Sequence, residues 1–374
     1  MNTGINAPTR LVVGCMTGTS LDGIDLALVE IHGQGLGLTA RLRRTLSASF
    51  DDPTGFGTIL RRAAGQSLLN AGELAGMARQ FGMFHVEHIE KLLDGSRVDL
   101  VCAHGQTVFH KPPSSWQLLN PAPIADRLRA PVVFDLRAAD LAAGGQGAPI
   151  TPIADLVMFG DLEESRVIVN LGGFCNITVL PAGARPAVLD MVDGFDLCAC
   201  NHVLDQVARS VLGTSYDDGG RAALAGASDV LAVSDLVSRL GAQRSAGRSL
   251  GTGDEVGSWI AAHRDRTTPN DLAASACAAL GRVIGGTIDA AVGDNARVIL
   301  AGGGVRNSAL LAAIKSSCGG AVDLSDAMGV PAAYREAMAM AVLGALCQDR
   351  VPVTLPRVTR CRRPAPVAGV WVLP

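Results

Sequence analysis

The chain begins with two apolar runs separated by a turn rich in glycine and hydroxyl residues. Residues 10–14 (RLVVG) predict a strand, and residues 24–31 (IDLALVEI) alternate apolar and polar positions, which is typical of a second strand. The pattern returns about half a chain later, where residues 166–170 (RVIVN) and 177–180 (ITVL) flank another glycine turn. Two such hairpins indicate an internal duplication at the level of architecture.

Helical and strand-like segments alternate through the rest of the chain. Residues 67–93 place apolar side chains at helical spacing, and residues 272–292 form a long alanine-rich helical pattern. Three short apolar runs predict buried strands: 98–103, 131–134 and 297–301. A helix is expected at 307–316, and an irregular tail rich in Pro and Arg from residue 350. Strands alternating with helices predict an α/β fold with a largely parallel core.

Composition and charge narrow the classes of protein that fit. A chain of 374 residues is long enough for two domains, and 48% hydrophobic against 18% charged residues supports buried cores and excludes a disordered chain. The net charge is −3. One basic cluster, Arg357, Arg360, Arg362 and Arg363, is interpreted as a solvated tail in preference to a binding patch. No nucleic-acid surface is therefore expected.

No segment predicts contact with a membrane or secretion. No uninterrupted apolar run reaches the ~18 residues that a spanning helix needs, and the N-terminus lacks a basic start followed by an apolar stretch. Nine cysteines without C-x-x-C pairs indicate reduced thiols and a cytoplasmic protein. A metal site at the lone C-x-C of Cys198 and Cys200 is disfavoured, because no second ligand pair has suitable spacing.

The first hairpin turn carries groups that suit phosphate. It offers five candidate cofactor-binding residues: Gly18, Thr19, Ser20, Asp22 and Gly23. Glycines let the backbone approach a ligand closely, and backbone N–H groups in such turns bind anions. Asp22 is a hard oxygen donor that could hold Mg²⁺ directly or through water. An ordinary hairpin turn is the alternative.

The second hairpin turn has the same design. It offers Gly172, Gly173 and Asn176, and two such turns in one chain favour a nucleotide held across a cleft. A third glycine segment, Gly302–Gly304, follows a predicted strand at the place where open α/β sheets bind ligands, so it could accommodate adenosine. A flexible turn is the alternative there. Asn307 is expected to cap the next helix and is included among the nucleotide-binding candidates.

Other polar residues suggest a substrate pocket. His104 lies at the end of a predicted strand and could bind substrate, although a lone histidine is as often structural. Arg137 could bind a carboxylate as a planar fork, or form a salt bridge with Asp135 or Asp140. Asp196 lies just past the second hairpin and could act as a general base on a hydroxyl or water.

Six segments together resemble the anhydro-N-acetylmuramic acid kinase family, which belongs to the actin-like, sugar-kinase and Hsp70 ATPase superfamily. They are GTSLDGID at 18–25, AHGQTVFH at 103–110, DLAAGGQGAPI at 140–150, VNLGGFCNIT at 169–178, AGGGVRNSAL at 301–310 and REAMAMAVLG at 335–344. The resemblance runs from about residue 10 to residue 359. It implies two actin-like (ribonuclease H-like) α/β domains with a cleft between them. The predicted boundaries are 1–135, rejoined by a tail at about 345–374, and 136–344.

The resemblance also implies an activity. Members of the family use ATP and Mg²⁺ and open the 1,6-anhydro bridge of anhydro-N-acetylmuramic acid with water. They phosphorylate O6 to give N-acetylmuramate 6-phosphate in peptidoglycan recycling. Asp196 would activate the water, and Asp22 would hold the metal. Four residues would lie near the sugar: His104, Arg137, Gly147 and Glu336. A homodimer and domain closure are also implied.

Three segments depart from the family's usual sequence. Between Asp196 and Asn201 the chain has Leu-Cys-Ala-Cys where the family has Thr-Gly-Pro-Gly, and residues 244–249 and 117–119 also differ. Side chains in place of glycine are expected to narrow or reshape the pocket on the sugar side. A kinase of a different anhydrosugar, and a catalytically inactive nucleotide-binding relative, are therefore alternatives.

Overall fold

The computed structural model describes residues 8–18, 21–50, 56–65, 67–245, 255–292, 296–365 and 367–374. The strands are β1 (Thr9–Met16), β2 (Gly23–His32), β3 (Thr39–Ser49), β4 (Leu100–Ala103), β5 (Gln106–Lys111), β6 (Ser114–Leu118), β7 (Val132–Phe134), β8 (Arg166–Leu171), β9 (Phe174–Leu180), β10 (Asp193–Ala199), β11 (Arg297–Ala301), β12 (Val322–Leu324) and β13 (Val370–Val372). The helices are α1 (Phe56–Ala64), α2 (Ala71–Leu93), α3 (Ala122–Leu128), α4 (Ala138–Ala142), α5 (Pro152–Phe159), α6 (Arg185–Val188), α7 (Asn201–Val207), α8 (Arg221–Leu224), α9 (Val230–Ser245), α10 (Glu255–His263), α11 (Pro269–Val292), α12 (Ser308–Ser317), α13 (Arg335–Gln348) and α14 (Pro356–Thr359).

The chain forms two compact units. Unit 1 comprises Met1–Gly160, Gly183–Asp193 and Tyr334–Pro374, and unit 2 comprises Asp161–Ala182 and Gly194–Ala333. Each unit has its own buried apolar cluster around its own sheet. The chain therefore leaves unit 1 after residue 160, returns to it for residues 183–193, and returns again at residue 334 to finish it.

The sheet of unit 1 is built around the first predicted hairpin. Its strand order is β13-β7-β4-β1-β2-β3. β1 and β2 pair antiparallel from Thr9 opposite His32 to Met16 opposite Asp25, which confirms the predicted hairpin. On the other side of β1, the strands β4 and β7 continue the sheet in parallel. The predicted parallel core is therefore the β1-β4-β7 half of a mixed sheet.

The sheet of unit 2 repeats this arrangement. Its order is β10-β9-β8-β11-β12, with β8 and β9 antiparallel and β8, β11 and β12 parallel. In both units the first strand is central, its hairpin partner lies on one side, and two parallel strands lie on the other. The α/β class and the predicted duplication of architecture are confirmed.

Helix α13 is the core helix of unit 1. It is buried along almost its whole length and packs on β1, β2 and β4. A Cβ at Gly14 would collide with the carbonyl oxygen of Ala337, and one at Gly344 would lie 2.6 Å from Cβ of Cys102. Small residues on both sides of the contact thus let the helix backbone lie directly on the sheet. The small residues of segment 335–344 are explained by this packing.

The end of the chain is more ordered than its composition indicates. The prediction of an irregular tail is wrong for β13, which pairs antiparallel with β7 at the edge of the sheet. Thr359 donates a hydrogen bond from Oγ1 to Oδ1 of Asp140 at 2.7 Å. These contacts join residues 138–160 and the C-terminal segment to unit 1. The changes from one unit to the other fall after residues 160, 182, 193 and 333. The boundaries predicted from the sequence lie after residues 135 and 344.

Helix α11 is long and apolar, and it packs inside unit 2. Among the helices of the described ranges, only α11 has the length and hydropathy of a membrane span, and just over half of its most apolar window is buried. A Cβ at Gly281 would lie 2.6 Å from the carbonyl carbon of Ala313 on α12. This close helix–helix contact accounts for the apolar composition of α11.

A buried histidine should make the stability of unit 1 depend on pH. His85 on α2 is fully buried, its Nδ1–H donates to the carbonyl of Phe81 at 2.8 Å, and burial lowers its pKa to about 4. In the unfolded chain this histidine binds a proton as the pH falls below its ordinary pKa of ~6.5. In the folded chain it binds the proton only when the pH falls to about 4. We expect His85 to remove about 2 kcal/mol of unfolding free energy between pH 7 and pH 5.

Urea unfolding of the parent and of His85→Leu at both pH values measures this effect. The variant should lose less stability on acidification than the parent does, although its stability at pH 7 can differ for packing reasons. Equal losses of unfolding free energy in the two proteins would show that folding does not lower the pKa of His85.

Candidate functional site

The turn between β1 and β2 is fastened to the segment that follows β4. Thr17 is buried and donates from Oγ1 to the carbonyl of His104 at 3.3 Å, and His104 donates its backbone N–H to the carbonyl of Cys15 at 2.9 Å. Gln106 donates from Nε2 to the carbonyl of Gly18 at 3.4 Å. The GTSLDG turn and the HGQT segment are therefore neighbours in unit 1.

Two of the predicted phosphate-binding residues of this turn differ in what surrounds them. The side chain of Asp22 is exposed, and its backbone carbonyl accepts the N–H of Phe50 at 3.0 Å. Gly23 begins β2, where a Cβ would collide with the carbonyl of Ala48 on β3. Close strand packing thus accounts for Gly23, whereas Asp22 is an exposed residue of the turn. The predicted residues Thr19 and Ser20 lie outside the described residues.

Three of the predicted sugar-binding residues form one network. Arg137 donates from Nη2 to Nε2 of His104 at 3.1 Å and from Nη1 to the carbonyl of Gly147 at 2.7 Å. Gly147 in turn donates its N–H to Oδ2 of Asp140 at 2.7 Å. Asp140 is therefore held by Gly147 and, through Thr359, by the C-terminal segment. Arg137 acts on Asp135 electrostatically, although burial dominates there and raises the pKa of that carboxyl.

His104 is a neutral imidazole in this network. Burial and then the neighbouring Arg137 lower its pKa to about 3. Because Nε2 accepts from Arg137, the ring proton is assigned to Nδ1. Nδ1 of His104 and Oε1 of both Gln106 and Gln117 are buried without a hydrogen-bond partner among the described residues. Such unused groups are rare in native proteins and are typical of sites that a ligand or water completes.

Gln106 and Gln117 were not among the candidates drawn from the sequence. Gln106 lies in the HGQT segment, and Gln117 donates from Nε2 to Oγ1 of Thr107 at 3.0 Å across the β5–β6 hairpin. The signal for Gln106 was the quoted HGQT motif, in which only His104 was singled out, and Gln117 begins the segment 117–119 that departs from the family's usual sequence. Glu336, the fourth predicted sugar-binding residue, lies in the first turn of α13 and is half-buried.

The glycine turn of unit 2 rests on the start of α7. The backbone N–H of Cys200 donates to the carbonyl of Gly173 at 2.8 Å, and that of Asn201 donates to the carbonyl of Gly172 at 3.0 Å. Asn201 also donates from Nδ2 to the carbonyl of Leu171 at 3.1 Å. With their carbonyls bound to α7, the two predicted glycines have a fixed backbone conformation.

The third glycine segment packs beside this turn. Gly302 has φ of +88°, a conformation that favours glycine, and a Cβ there would lie 2.8 Å from the carbonyl of Leu171. Gly303 is more open, with Nδ2 of Asn201 3.8 Å from a Cβ position, and Gly304 is buried. Unit 2 therefore brings the predicted nucleotide-binding glycines of β8–β9 and of β11 together.

Two of the remaining predicted residues of unit 2 have structural bonds. Asn307 accepts the backbone N–H of Leu310 at 3.0 Å through Oδ1, which confirms it as the cap of α12. Asn176 donates from Nδ2 to Oδ1 of Asp196 at 2.9 Å. Asp196 lies on β10, is half-buried, and is thereby linked to the hairpin that carries the glycine turn.

The segment after Asp196, where a reshaped pocket was expected, is buried in unit 2. Leu197, Cys198, Ala199 and Cys200 are buried in the apolar cluster of unit 2, because the chain continues as β10 up to Ala199 and then enters α7. Burial also raises the pKa of Cys198 to about 12. These side chains fill the core of unit 2. Of the other two departures, 117–119 is buried near the HGQT segment, and the 246–249 part of 244–249 lies outside the described residues.

No metal cage built from side chains is found in the described ranges. Nowhere in them do three His, Cys, Asp or Glu residues lie together in a way that could hold a metal ion. Mg²⁺ does not need such a cage, since it keeps several waters and usually takes one or two carboxylates together with phosphates. An exposed carboxylate on a phosphate-type turn, as at Asp22, fits that donor set.

A groove of about 860 Å³ lies on another face of unit 1. It runs between α2 and α3, where Met83, Phe84 and Pro123 are flanked by charged side chains. None of the predicted site residues lines it, so it carries no information about the candidate site.

Comparison with known proteins decides the family. A family model described as "Anhydro-N-acetylmuramic acid kinase" matches residues 10–372. The chain belongs to the anhydro-N-acetylmuramic acid kinase family. A relative of that name from Salinibacter ruber is 34% identical over 391 aligned positions, covering 97% of this chain and 96% of the relative. Another from Bordetella petrii is 32% identical and covers 98% and 97%.

Solved structures resemble the chain more distantly. Component A of (R)-2-hydroxyglutaryl-CoA dehydratase from Acidaminococcus fermentans is similar with a TM-score of 0.48 and 12% identity, over 90% of this chain and 98% of that one. A ROK family glucokinase from Streptomyces griseus, in complex with glucose and AMPPNP, has a TM-score of 0.40 and 16% identity, over 89% and 99%. The family membership inferred from the six sequence segments is confirmed by the sequence relatives, which cover nearly the whole chain.

Proposed function

We propose that the protein is an anhydro-N-acetylmuramic acid kinase. It opens the 1,6-anhydro bridge of the sugar with water and transfers the γ-phosphoryl group of ATP to O6, giving N-acetylmuramate 6-phosphate for peptidoglycan recycling and amino-sugar catabolism. Near full-length similarity to curated kinases of this name supports the activity. The single structural observation that carries it is Asp196, held by an amide donor in the unit that also gathers the nucleotide-type glycines.

In this proposal Asp196 is the general base. It takes a proton from water as the water oxygen bonds to C1 of the sugar, and the bond between C1 and O6 breaks. O6 then bonds to the γ-phosphorus, and ADP leaves. Removing a proton from water in this way needs a carboxylate within hydrogen-bond reach of it. Phosphoryl transfer needs mainly positioning and neutralisation of charge.

The nucleotide is assigned to the glycine segments. Gly303 is the most open glycine of the unit 2 segments, whereas a Cβ at Gly173 or Gly302 would already meet His202 or Leu171. Gly172, Gly173 and Gly302–Gly304 are proposed to hold ATP, and Gly18 keeps the phosphate-binding role predicted for it from the sequence. Asp22 would hold Mg²⁺, directly or through water. The ion would neutralise phosphate charge when it is bound.

The sugar is assigned to the His104 network. The guanidinium of Arg137 suits the carboxylate of the lactyl group, and Nδ1–H of His104 is a buried donor with no partner among the described residues. Gly147 shapes the loop that holds Arg137, and Glu336 completes the proposed set. Acceptance at Nε2 from Arg137 needs the neutral ring, which burial and Arg137 maintain at physiological pH.

We also propose a cytoplasmic homodimer. The nine cysteines are free thiols, eight of them buried and Cys318 half-buried, which suits a reducing compartment. The homodimer follows from the family resemblance, and light scattering coupled to size-exclusion chromatography tests it: a mass near twice the 38.5 kDa of the chain is expected.

A coupled ADP-release assay tests the function. Purified protein with Mg²⁺-ATP should release ADP only when 1,6-anhydro-N-acetylmuramic acid is added, and mass spectrometry should find a product heavier by water and a phosphoryl group. Release with another anhydrosugar, and none with this one, would show that the substrate is different. Binding of ATP without release for any sugar would establish the inactive relative. The burial of residues 197–200 favours the first outcome, because the departure from the family sequence packs in the core.

A further inference from the structure

We propose that Asn176 is a positioning residue for Asp196, and that Asn170 fixes Asn176 in turn. The inference rests on the proposed function, because it concerns the orientation of the base in that reaction. Asn176 would thereby act on catalysis through Asp196, in place of the nucleotide contact predicted for it from the sequence.

Two hydrogen bonds link the three side chains. Asn170 donates from Nδ2 to Oδ1 of Asn176 at 3.2 Å, and Asn176 donates from Nδ2 to Oδ1 of Asp196 at 2.9 Å. Asn170 and Asn176 face each other across the β8–β9 hairpin as a paired position of the ladder. The sheet therefore fixes the backbone of both residues, and this places their side-chain amides next to each other.

The direction of the chain of bonds is set by chemistry. An ionised carboxylate only accepts hydrogen bonds, so Asn176 must turn its NH₂ group toward Asp196. Its oxygen then faces Asn170, which must also present its NH₂ group. Oδ1 of Asn170 is buried with no hydrogen-bond partner among the described residues, 2.9 Å from where a Cβ at Gly302 would lie. Asn170, 4% exposed, thus extends from the nucleotide-type glycine segment to the amide that holds the base.

The surroundings of Asp196 make this amide its main polar support. Cys175, which precedes Asn176 on β9, lies close enough for Asp196 to affect it. Burial, then the neighbouring Cys198 and Cys200, and then Asp196 raise the pKa of the Cys175 thiol, which therefore stays neutral.

No ion pair involves Asp196 among the described residues. Oδ1 of Asp196 accepts the hydrogen bond from Asn176. Oδ2 takes no part in that bond, so we assign to Oδ2 the proton that is removed from water.

Kinetics of Asn176→Ala give the first test. We expect kcat to fall about 10-fold or more, because the base loses its orientation, while the KM for ATP changes less than about 3-fold. Thr178→Val, two positions further along the same face of β9, is the matched control and should keep kcat within about 2-fold. A rise in the KM for ATP with kcat unchanged would overturn the inference and make Asn176 a nucleotide contact.

The pH profile of Asn176→Asp gives a second test that a merely structural residue would not pass. A second carboxylate beside Asp196 disfavours ionisation of the pair, so the acid limb of the kcat profile should move to higher pH. An unchanged acid limb would show that residue 176 does not act on the base.

A double-mutant cycle tests the contact without using turnover. Urea unfolding measures how far each variant lowers the midpoint of unfolding. The decreases of Asn176→Ala and Asp196→Ala should add up to more than the decrease of the double variant, because each single change already breaks the same bond. Additive losses would overturn the inference. If the parent released no ADP with any sugar, the proposed function would fail, while this cycle would still decide whether Asn176 holds Asp196.

Discussion

Asp196→Asn should lower sugar-dependent turnover by ~10²-fold or more, which is the usual scale for loss of a general base. Asparagine has almost the same shape as aspartate, and its Oδ1 can still accept the hydrogen bond from Asn176. The variant therefore removes the proton acceptor and keeps the geometry. Calorimetric titration should find ATP affinity within about 3-fold of the parent, since the nucleotide-type glycines are unchanged.

Asp193→Asn provides the control for this experiment. Asp193 lies three residues earlier in the same DGFD segment, where it pairs with the exposed Arg357 at 3.5 Å. Exposed ion pairs of this kind contribute little, so turnover and stability should stay close to those of the parent. If Asp196→Asn kept turnover within a few-fold of the parent, Asp196 would have no role as the base.

Arg335→Ala should lower the unfolding free energy of the protein by about 3–5 kcal/mol. Arg335 is 2% exposed, and its guanidinium pairs with Asp155, which is fully buried. The bond from Nε to Oδ1 of Asp155 is 2.9 Å long, and Nη2 also reaches Oγ1 of Thr151 at 3.3 Å. Removing the arginine leaves the Asp155 charge buried without its cation. This is costly because desolvation of the carboxylate is no longer compensated.

The double variant Arg335→Met with Asp155→Leu separates charge from packing. Replacement of a buried ion pair by apolar residues of similar volume is often neutral, so the double variant should recover most of the stability that the single variant loses. Chemical unfolding at pH 7 measures both. Lys91→Ala, which breaks an exposed pair with Glu87, should cost little. A small loss in Arg335→Ala would mean that Asp155 becomes neutral or hydrated at low cost.

Local patterns were enough to predict the strands beside the glycine turns and the two longest helices, but not most of the other elements. The alternation around the two glycine turns predicted both hairpins, and the apolar run at 297–301 matches β11 residue for residue. Asn307 was expected to cap α12 and does. These features depend on neighbours within a few residues, so propensity and spacing determine them.

Contacts between distant residues could not be predicted in this way. The bond from Arg137 to His104 spans 33 positions, and the bond from Asn176 to Asp196 spans 20. No spacing rule links such residues, because the sheet order decides which strand ends meet. The strand β13 was missed because it is short and lies in a tail rich in Pro and Arg. Residues 197–200 were expected to reshape the pocket because side chains replace the family's glycines, and in the structure these side chains are buried at the end of β10 and the start of α7.

The discontinuity of unit 1 has a consequence for synthesis on the ribosome. Every residue of unit 2 has been made by position 333, whereas α13 and β13 of unit 1 are made last. Domains generally fold as the chain emerges, so unit 2 can finish first while β1 and β4, made long before, wait for the helix that covers them. During that interval the apolar face around Gly14 is open to water and to chaperones. A chain released before residue 335 would carry a complete unit 2 and a permanently uncovered first sheet.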